Sequence, residues 1–589
     1  MMLKNDMTDT TNIDILLNKI YGAEKSDQLL NDILELIKDY RGKISDRPNC
    51  FFDQQDMVLI TYADMVQREN EPPLETLKTF LSNYAADTIN TVHLLPFFPY
   101  SSDDGFSVID FKQVNPQLGE WRHVEEIGKK FNLMADLVLN HISAQSEWFQ
   151  AFLRDEAPFN DFFITVEHGV DLSKVVRPRA LPLLTEFDTK KGRKKVWTTF
   201  SADQVDLNYQ NPQVLLEMLD ILLFYAHKGI CIIRLDAVAY IWKQIGSTCI
   251  HMPQAHAIVQ LMRAILNEAA PWVKLITETN VPHKDNVSYF GDGSNEAHMV
   301  YNFPLPPLVL HSFISQSATE IANWAETLET PSNQTVFFNF LASHDGIGIT
   351  PVKGILKEAQ INAMVERVES LNGRISYKKD SDGDESPYEL NINFMDTLGY
   401  PGMAEEDEEE IAARFITSQA IMLSLRGVPG IYFHSLVGSR GWQAGVSRHG
   451  YARAINREKL DFSNLTRTLK NNQSLRAKVY HRYCDLLKQR RQHDAFHPQG
   501  SQHILKIDER IFGLLRTAMD NQQHVLCLHN ISEHEKKLSI NMHTLEIGKV
   551  TGIRSLLGNI AATFSSQVCT LILEPYQTAW LELMGTHTY

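Results

Sequence analysis

The segment CIIRLDAV, Cys231 to Val238, decides the fold: a short apolar run ends on Arg234 and Asp236, which flank Leu235 and on a strand project to one face. A run of that length is ambiguous between buried strand and buried helix, so its recurrence carries the argument. LMADLVLNH (Leu133 to His141), VKLITETN (Val273 to Asn280) and FFNFLASHD (Phe337 to Asp345) have the same form, with polar chemistry at the C-terminal end. MVLITYA, TVHLLPF, HMVYNF and GVPGIYFHS bring the candidates to eight, most of them separated by helical patterns. The class is α/β, and eight strands predict a (β/α)8 TIM barrel. The C-terminal strand ends of such a barrel share one mouth. Asn140, His141, Arg234, Asp236, Glu278, His344 and Asp345 are therefore expected in one site.

The chain has 589 residues, 43% apolar and 10% aromatic, enough for more than one domain. An N-terminal helical segment is expected over 1–50, where Leu29, Leu30, Ile33, Leu34 and Ile37 share a helix face. The catalytic barrel takes 51–141 and 206–497. Residues 142–205, after the third strand, are too long for a βα loop and predict an inserted subdomain over the mouth. A second long connection, from Asp345 through DSDGDESPYELN to the acidic run EEDEEE (Glu405 to Glu410), reads as a mobile or lid-like loop. The acidic run itself reads as a solvated first helical turn that complements the helix dipole. Alternating runs in 498–589 predict a C-terminal all-β domain.

A net charge of −16 argues against a nucleic-acid or anionic-membrane surface, which would show a basic face. It leaves room for an anionic ligand at a local cluster such as Arg177 and Arg179 in VVRPRALP. No run approaches the roughly 20 apolar residues that span a bilayer, and the first residues lack a basic stretch leading into an apolar run, so cytoplasmic residence is expected. Six scattered cysteines without CxxC spacing predict reduced, mostly buried thiols and no structural zinc. Asn140 offers a carbonyl donor to calcium, but no dense carboxylate loop accompanies it.

Cleaving a glycosidic bond requires one carboxyl that protonates the leaving oxygen and another that attacks or activates water. Crowding and burial raise the pKa of the acid, while an adjacent arginine keeps a nucleophilic Asp ionised. Taken singly these residues have bland readings as a helix cap, a core histidine or an ion pair. Their joint placement at strand ends is what points to catalysis, with His141 and His344 available to sugar hydroxyls.

DLVLNH (Asp136 to His141), IRLDA (Ile233 to Ala237), ITET (Ile276 to Thr279) and ASHD (Ala342 to Asp345) resemble the four ordered regions of the α-amylase superfamily of glycoside hydrolases. The resemblance implies Asp236 as nucleophile, Glu278 as acid/base and Asp345 as transition-state stabiliser, with Arg234, His141 and His344 lining the glucose subsite. HLLPFFPYSSDDGFSVIDF (His93 to Phe111), RLDAVAYIWKQIGSTCIH (Arg234 to His251), HDGIGI (His344 to Ile349) and ARAINR (Ala452 to Arg457) are similar to the sucrose phosphorylase branch over nearly the whole chain. That likeness implies an Asp103–Arg453 ion pair closing the pocket floor, Phe106 against the sugar, and Arg179 and Tyr388 on loops linked to phosphate. Tyr240 matches an acceptor-site tyrosine.

Two positions depart from sucrose phosphorylases: Asn280 stands two residues after the acid/base and Glu389 follows the loop tyrosine. ITETNVPHKDNVSYFG, EAHMVYNF and FNFLASHDGIG resemble instead the glucosylglycerate phosphorylases of that branch. The implied partners are small molecules, an α-glucoside, inorganic phosphate and D-glycerate, with no cofactor and no metal, in a monomer or homodimer. His283, Lys284 and Arg177 are candidates for the anionic acceptor, because an anion needs cations or donors nearby. The alternatives are a phosphorylase of sucrose, sucrose phosphate or glucosylglycerol, an α-glucosidase or transglucosidase, and a non-catalytic barrel, which retention of all three carboxylates disfavours.

Overall fold

The computed structural model describes residues 6–49, 51–379, 385–400, 407–558 and 560–585. Eight parallel strands close into a barrel: β1 (Val58–Thr61), β2 (Thr91–Leu94), β3 (Asn132–Val138), β4 (Ile230–Asp236), β5 (Lys274–Thr277), β6 (Met299–Tyr301), β7 (Val336–Phe340) and β8 (Val428–Tyr432). Each pairs with its sequence neighbour, and β8 pairs with β1 to complete the ring. Their residues are almost all buried, because helices cover the outside and side chains fill the inside. The eight strands are those the apolar runs predict.

Helices Asp6–Tyr21 and Ala23–Arg41 lie against helices Pro212–His227 and Pro253–Ala269. Tyr40 donates from its hydroxyl to Asp220 Oδ1 at 2.7 Å, and Tyr21 to the Tyr209 carbonyl at 2.8 Å, so the N-terminal pair is fastened to the barrel's own helices.

The long segment after β3 is closed at its base by an antiparallel pair, His141–Ser143 with Gln204–Asp206. Within it the charged DTKKGRKK forms the turn of a hairpin, Leu184–Thr189 with Gly192–Trp197. Val166, Val175, Leu183 and Trp197 make a small core of their own with Cys249.

The connection after β7 differs from the lid-like loop expected there. Strands Arg374–Lys379 and Glu385–Asn391 pair antiparallel, and the second also pairs with Ile347–Gly348, setting Glu389 opposite Gly348. Alternating RISYKK and SPYELN supply the strand pattern, and the turn formers fall between them at 380–384, outside the described residues. Glu405 and Glu406 also lie outside them; Asp407 caps helix Glu408–Ser424 by accepting from the Glu409 amide.

At the C-terminal end a five-stranded and a three-stranded antiparallel sheet share one apolar core, with Leu526, Leu528 and Leu581 from the first and Leu538, Ile540 and Leu571 from the second. Arg516, fully buried, donates to the Ser424 carbonyl at 2.9 Å and ties this region to a barrel helix. Among the described residues no helix is long and apolar enough to cross a membrane, and the five described cysteines are free.

Candidate active site

The site is built from strand ends. Arg234 on β4 lies in register with Asp136 on β3, and its guanidinium contacts that carboxylate and Asp236 Oδ1, the latter at 2.7 Å from Nη1. His93 on β2 supports Asp136 from the other side, Nε2 to Oδ2 at 2.6 Å. Two residues are thus spent on aiming the arginine that faces Asp236. Immediately after Asp236 the chain turns through Ala237, whose φ of 55° is left-handed and costly for a residue with a Cβ. That turn points the Ala237 amide at Glu278 Oε2, 3.4 Å away, joining the ends of β4 and β5.

The Asp236 and Glu278 side chains are only 11% and 17% exposed, and desolvation pushes both carboxyls upward, Asp236 to about 8. Two crowded carboxyls share a proton and do not both ionise. Arg234 stands 2.7 Å from Asp236 and 4.0 Å from Glu278, so the charge belongs on Asp236 and the proton on Glu278.

Asp345 has the opposite environment. Burial works against its charge, but Arg453 Nη1 at 2.5 Å and Arg457 Nη2 at 3.5 Å hold it well below the usual carboxylate range, with His344 3.4 Å away. Burial also keeps the two histidines neutral, His141 near 4 and His344 near 3. His344 stacks flat on Phe106, ring centroids 4.8 Å apart and planes 7° off parallel. His141 Nε2 is 3.0 Å from the Phe106 carbonyl, so that nitrogen carries the proton and holds the aromatic loop.

The ion pair expected between Asp103 and Arg453 is replaced by another. Arg457, 2% exposed, spans Asp103 at 3.3 Å and Asp104 at 2.7 Å, whereas Arg453 bridges Asp345 and Glu389. The two arginines lie four residues apart in a tight turn, and the sequence does not show which of them faces Asp103. Asp103 and Asp104 both adopt left-handed backbone ahead of Gly105, where a Cβ would stand 2.5 Å from the Pro96 carbonyl; only glycine fits that crossing.

These groups surround a pocket of about 100 Å³, the space of several waters or one sugar-sized ligand. Asp103, Phe106, His141, Arg234 and His344 form its inner wall with the three carboxylates, Asp236, Glu278 and Asp345. Arg179, Tyr240, Asn280, Tyr388, Glu389 and Arg453 line the rest. Three expected residues are elsewhere. His283 opens helix His283–Val287 and stacks on Phe337 outside the barrel, Lys284 is exposed on that helix, and Arg177 donates to the Leu181 carbonyl within its own loop. Sequence reading did not single out Phe200, Gln204, Asn456 or Arg457. Asn456 and Arg457 alone carried a signal, as the last two residues of ARAINR.

Asn140 does not present its carbonyl to a metal. Its Oδ1 accepts from Lys243 Nζ, its Nδ2 donates to Asp206 Oδ2 at 3.0 Å, and Lys243 pairs with Asp206 at 2.6 Å. A buried ammonium fills the position where a cation would sit.

A closed parallel barrel that brings three carboxylates and an arginine into one sugar-sized pocket defines a carbohydrate-active (β/α)8 enzyme. Residues 85–371 match the alpha amylase catalytic domain. The chain is 51% identical over 528 residues to a glucosylglycerate phosphorylase of Spirochaeta thermophila, covering 89% of each. It is 43% identical over 568 residues to one of Escherichia coli, covering 96% of this chain and 99% of that one. The crystal structure of sucrose 6F-phosphate phosphorylase from Thermoanaerobacter thermosaccharolyticum shares the fold, with a TM-score of 0.70 at 24% identity over 81% of this chain and 94% of that chain. The chain belongs to the α-amylase family, in the sucrose phosphorylase-like branch that holds the glucosylglycerate phosphorylases.

Proposed function

We propose that this protein is a retaining glycoside phosphorylase that interconverts 2-O-α-D-glucosyl-D-glycerate and phosphate with α-D-glucose 1-phosphate and D-glycerate. The acceptor comes from the relatives named for that substrate, at 51% and 43% identity. The observation that carries the chemistry is the unequal pair: Asp236 held as carboxylate by Arg234, and Glu278 kept protonated by burial.

In the first step Asp236 bonds to C1 of the glucosyl unit as the C1–O bond to glycerate breaks, and Glu278 gives its proton to the departing oxygen. Asp345, ionised, offsets the positive charge that develops on the ring. In the second step a phosphate oxygen bonds to C1 from the face glycerate left, its proton passes to the Glu278 carboxylate, and the Asp236 ester breaks. Two inversions return the α configuration. None of these steps calls on a metal or nucleotide.

The test is phosphate release from α-glucose 1-phosphate by the purified protein with D-glycerate, fructose, glycerol or water alone. Fast release with D-glycerate is the expected result. Release with another acceptor keeps the reaction class and moves the specificity, while no acceptor-dependent release overturns the phosphorylase reading.

A further inference from the structure

The loop PYSSDDGFS, Pro99 to Ser107, brings Asp103 and Phe106 to the inner wall of the pocket, and a carboxylate that takes no part in the chemistry holds it there. Asp203 stands just before the insert's closing strand. Its Oδ2 accepts from three serines of that loop: Ser101 at 2.5 Å, Ser107 at 2.7 Å and Ser102. Ser101, whose own proton goes to Asp203, accepts from Ser143 at 2.5 Å, and the Asp203 carbonyl accepts the Ala144 amide at 2.8 Å. Ser107 and Ser143 are fully buried. The clasp thus joins the loop after β2 to both strands that close the insert.

The serines bracket the strained part of the loop. Asp103, Asp104 and Gly105 follow one another at φ of 52°, 49° and 114°, with Ser102 immediately before them and Ser107 immediately after Phe106. Left-handed backbone is costly for a residue with a Cβ, and such a run persists only where its surroundings over-determine it. The loop's own amides contribute little: Gly105 and Ser107 reach the Ser102 carbonyl at 3.4 Å, and Phe106 reaches the Asp103 carbonyl at 3.3 Å. Arg457 fastens the Asp103 and Asp104 side chains, which leaves the two ends of the turn to Asp203. Hydroxyl bonds to a carboxylate are short and roughly twice as strong as neutral ones, so three on one oxygen are a firm anchor.

We propose that Asp203 is a positioning residue for glucosyl binding: by gathering Ser101, Ser102 and Ser107 on one oxygen it holds the strained turn, and with it the Asp103 carboxylate and the Phe106 ring, in the shape the glucosyl unit requires. This rests on the functional reading above for the identity of the occupant. The next residue, Gln204, donates to the Phe106 carbonyl at 3.3 Å, so two consecutive residues of the insert grip the same loop. The insert therefore shapes the glucose end of the pocket through this loop, without Asp203 touching the sugar.

The experiment follows hydrolysis of α-glucosyl fluoride, which needs neither phosphate nor D-glycerate, beside D-glycerate-dependent phosphate release from α-glucose 1-phosphate. Wild-type protein that hydrolyses the fluoride without acceptor-dependent release loses the phosphorylase reading and still tests the proposal; inactivity on both overturns both. Asp203→Ala is expected to raise KM for the fluoride and for α-glucose 1-phosphate alike by about tenfold, with kcat within about threefold, because Asp103 and Phe106 meet the glucosyl unit in ground and transition state alike. Asp203→Asn, which keeps an acceptor oxygen without the charge, and Ser102→Ala, which removes one bond of the three, should give smaller rises of the same kind. They carry the test if Asp203→Ala does not fold. Adding Ser102→Ala to Asp203→Ala should raise KM no further, since the bond is already gone. A fall in kcat or in melting temperature with KM unchanged makes Asp203 a structural residue and overturns the proposal, as does a fully additive double variant.

Discussion

In the proposed reaction little separates nucleophile from acid: the Asp236 and Glu278 side chains are 11% and 17% exposed, and the difference is an arginine at 2.7 Å from one and 4.0 Å from the other. Asp236→Asn should lower turnover by several orders of magnitude, the usual cost of losing a covalent catalyst. A purified variant that keeps more than about one hundredth of the rate would remove Asp236 from that role. Glu278→Gln should fail on donors whose leaving oxygen needs a proton and recover on an activated aryl glucoside. The pH profile follows with its sign. A raised pKa keeps Glu278 protonated above the ordinary carboxylate range, so turnover of unactivated donors falls only as pH rises through that raised value. The aryl glucoside should lack that alkaline limb. These carboxylates were legible in sequence because each ends an apolar run, and a strand end fixes where its side chain goes. His283, Lys284 and Arg177 were not, since nearness in sequence to Glu278 or Arg179 says nothing about direction. His283 begins a helix that turns its ring onto the outside of β7.

Between elements, the most consequential joint is Lys243, which follows β4 and binds Asp206 of the insert's closing strand and Asn140 at the end of β3. Both charged partners are almost fully buried, 3% and 0% exposed. Removing one leaves the other charge uncompensated in low dielectric, which costs about 3–5 kcal/mol. Lys243→Met should therefore lower stability by that amount in denaturant titration, whereas the double variant Lys243→Met with Asp206→Asn should lose clearly less. Equal losses would mean the joint is not electrostatic. At this scale the eight barrel strands were readable because their apolar runs admit few alternatives once repeated. The hairpin bearing Tyr388 and Glu389 was not, because the turn formers at 380–384 dominate DSDGDESPYELN and hide the alternation on either side. The consequence is functional: a residue placed on a loop is free to meet a substrate, whereas Glu389, paired against Gly348 on a strand, is held against Arg453 and the Gly346 amide.

For the whole molecule, burial sets the response to acid. His141 is pushed down to about 4, His344, His434 and His529 to about 3, and His298 well below its ordinary value, in each case by desolvation. A histidine whose pKa is lower folded than unfolded binds its proton only on unfolding. Each such group contributes stability that is intact above the unfolded pKa near 6.5 and drains away, at about 1.4 kcal/mol per pH unit, as pH falls toward the folded value. The one proton that the Asp236–Glu278 pair shares, carried by Glu278, acts in the opposite sense over the same range, since the fold holds it and the unfolded chain does not. Five histidines outnumber that one proton, and they lie in separate places: at the pocket, just before β6, after β8 and in the C-terminal sheet. The melting temperature should therefore fall steadily between pH 6.5 and 4.5, and replacing His529 by Gln, far from the pocket, should flatten the slope without changing the pH profile of turnover. A melting temperature that is level across that interval would mean the opposing carboxyls balance the histidines, and a flattened turnover profile in His529→Gln would tie the C-terminal sheet to the chemistry.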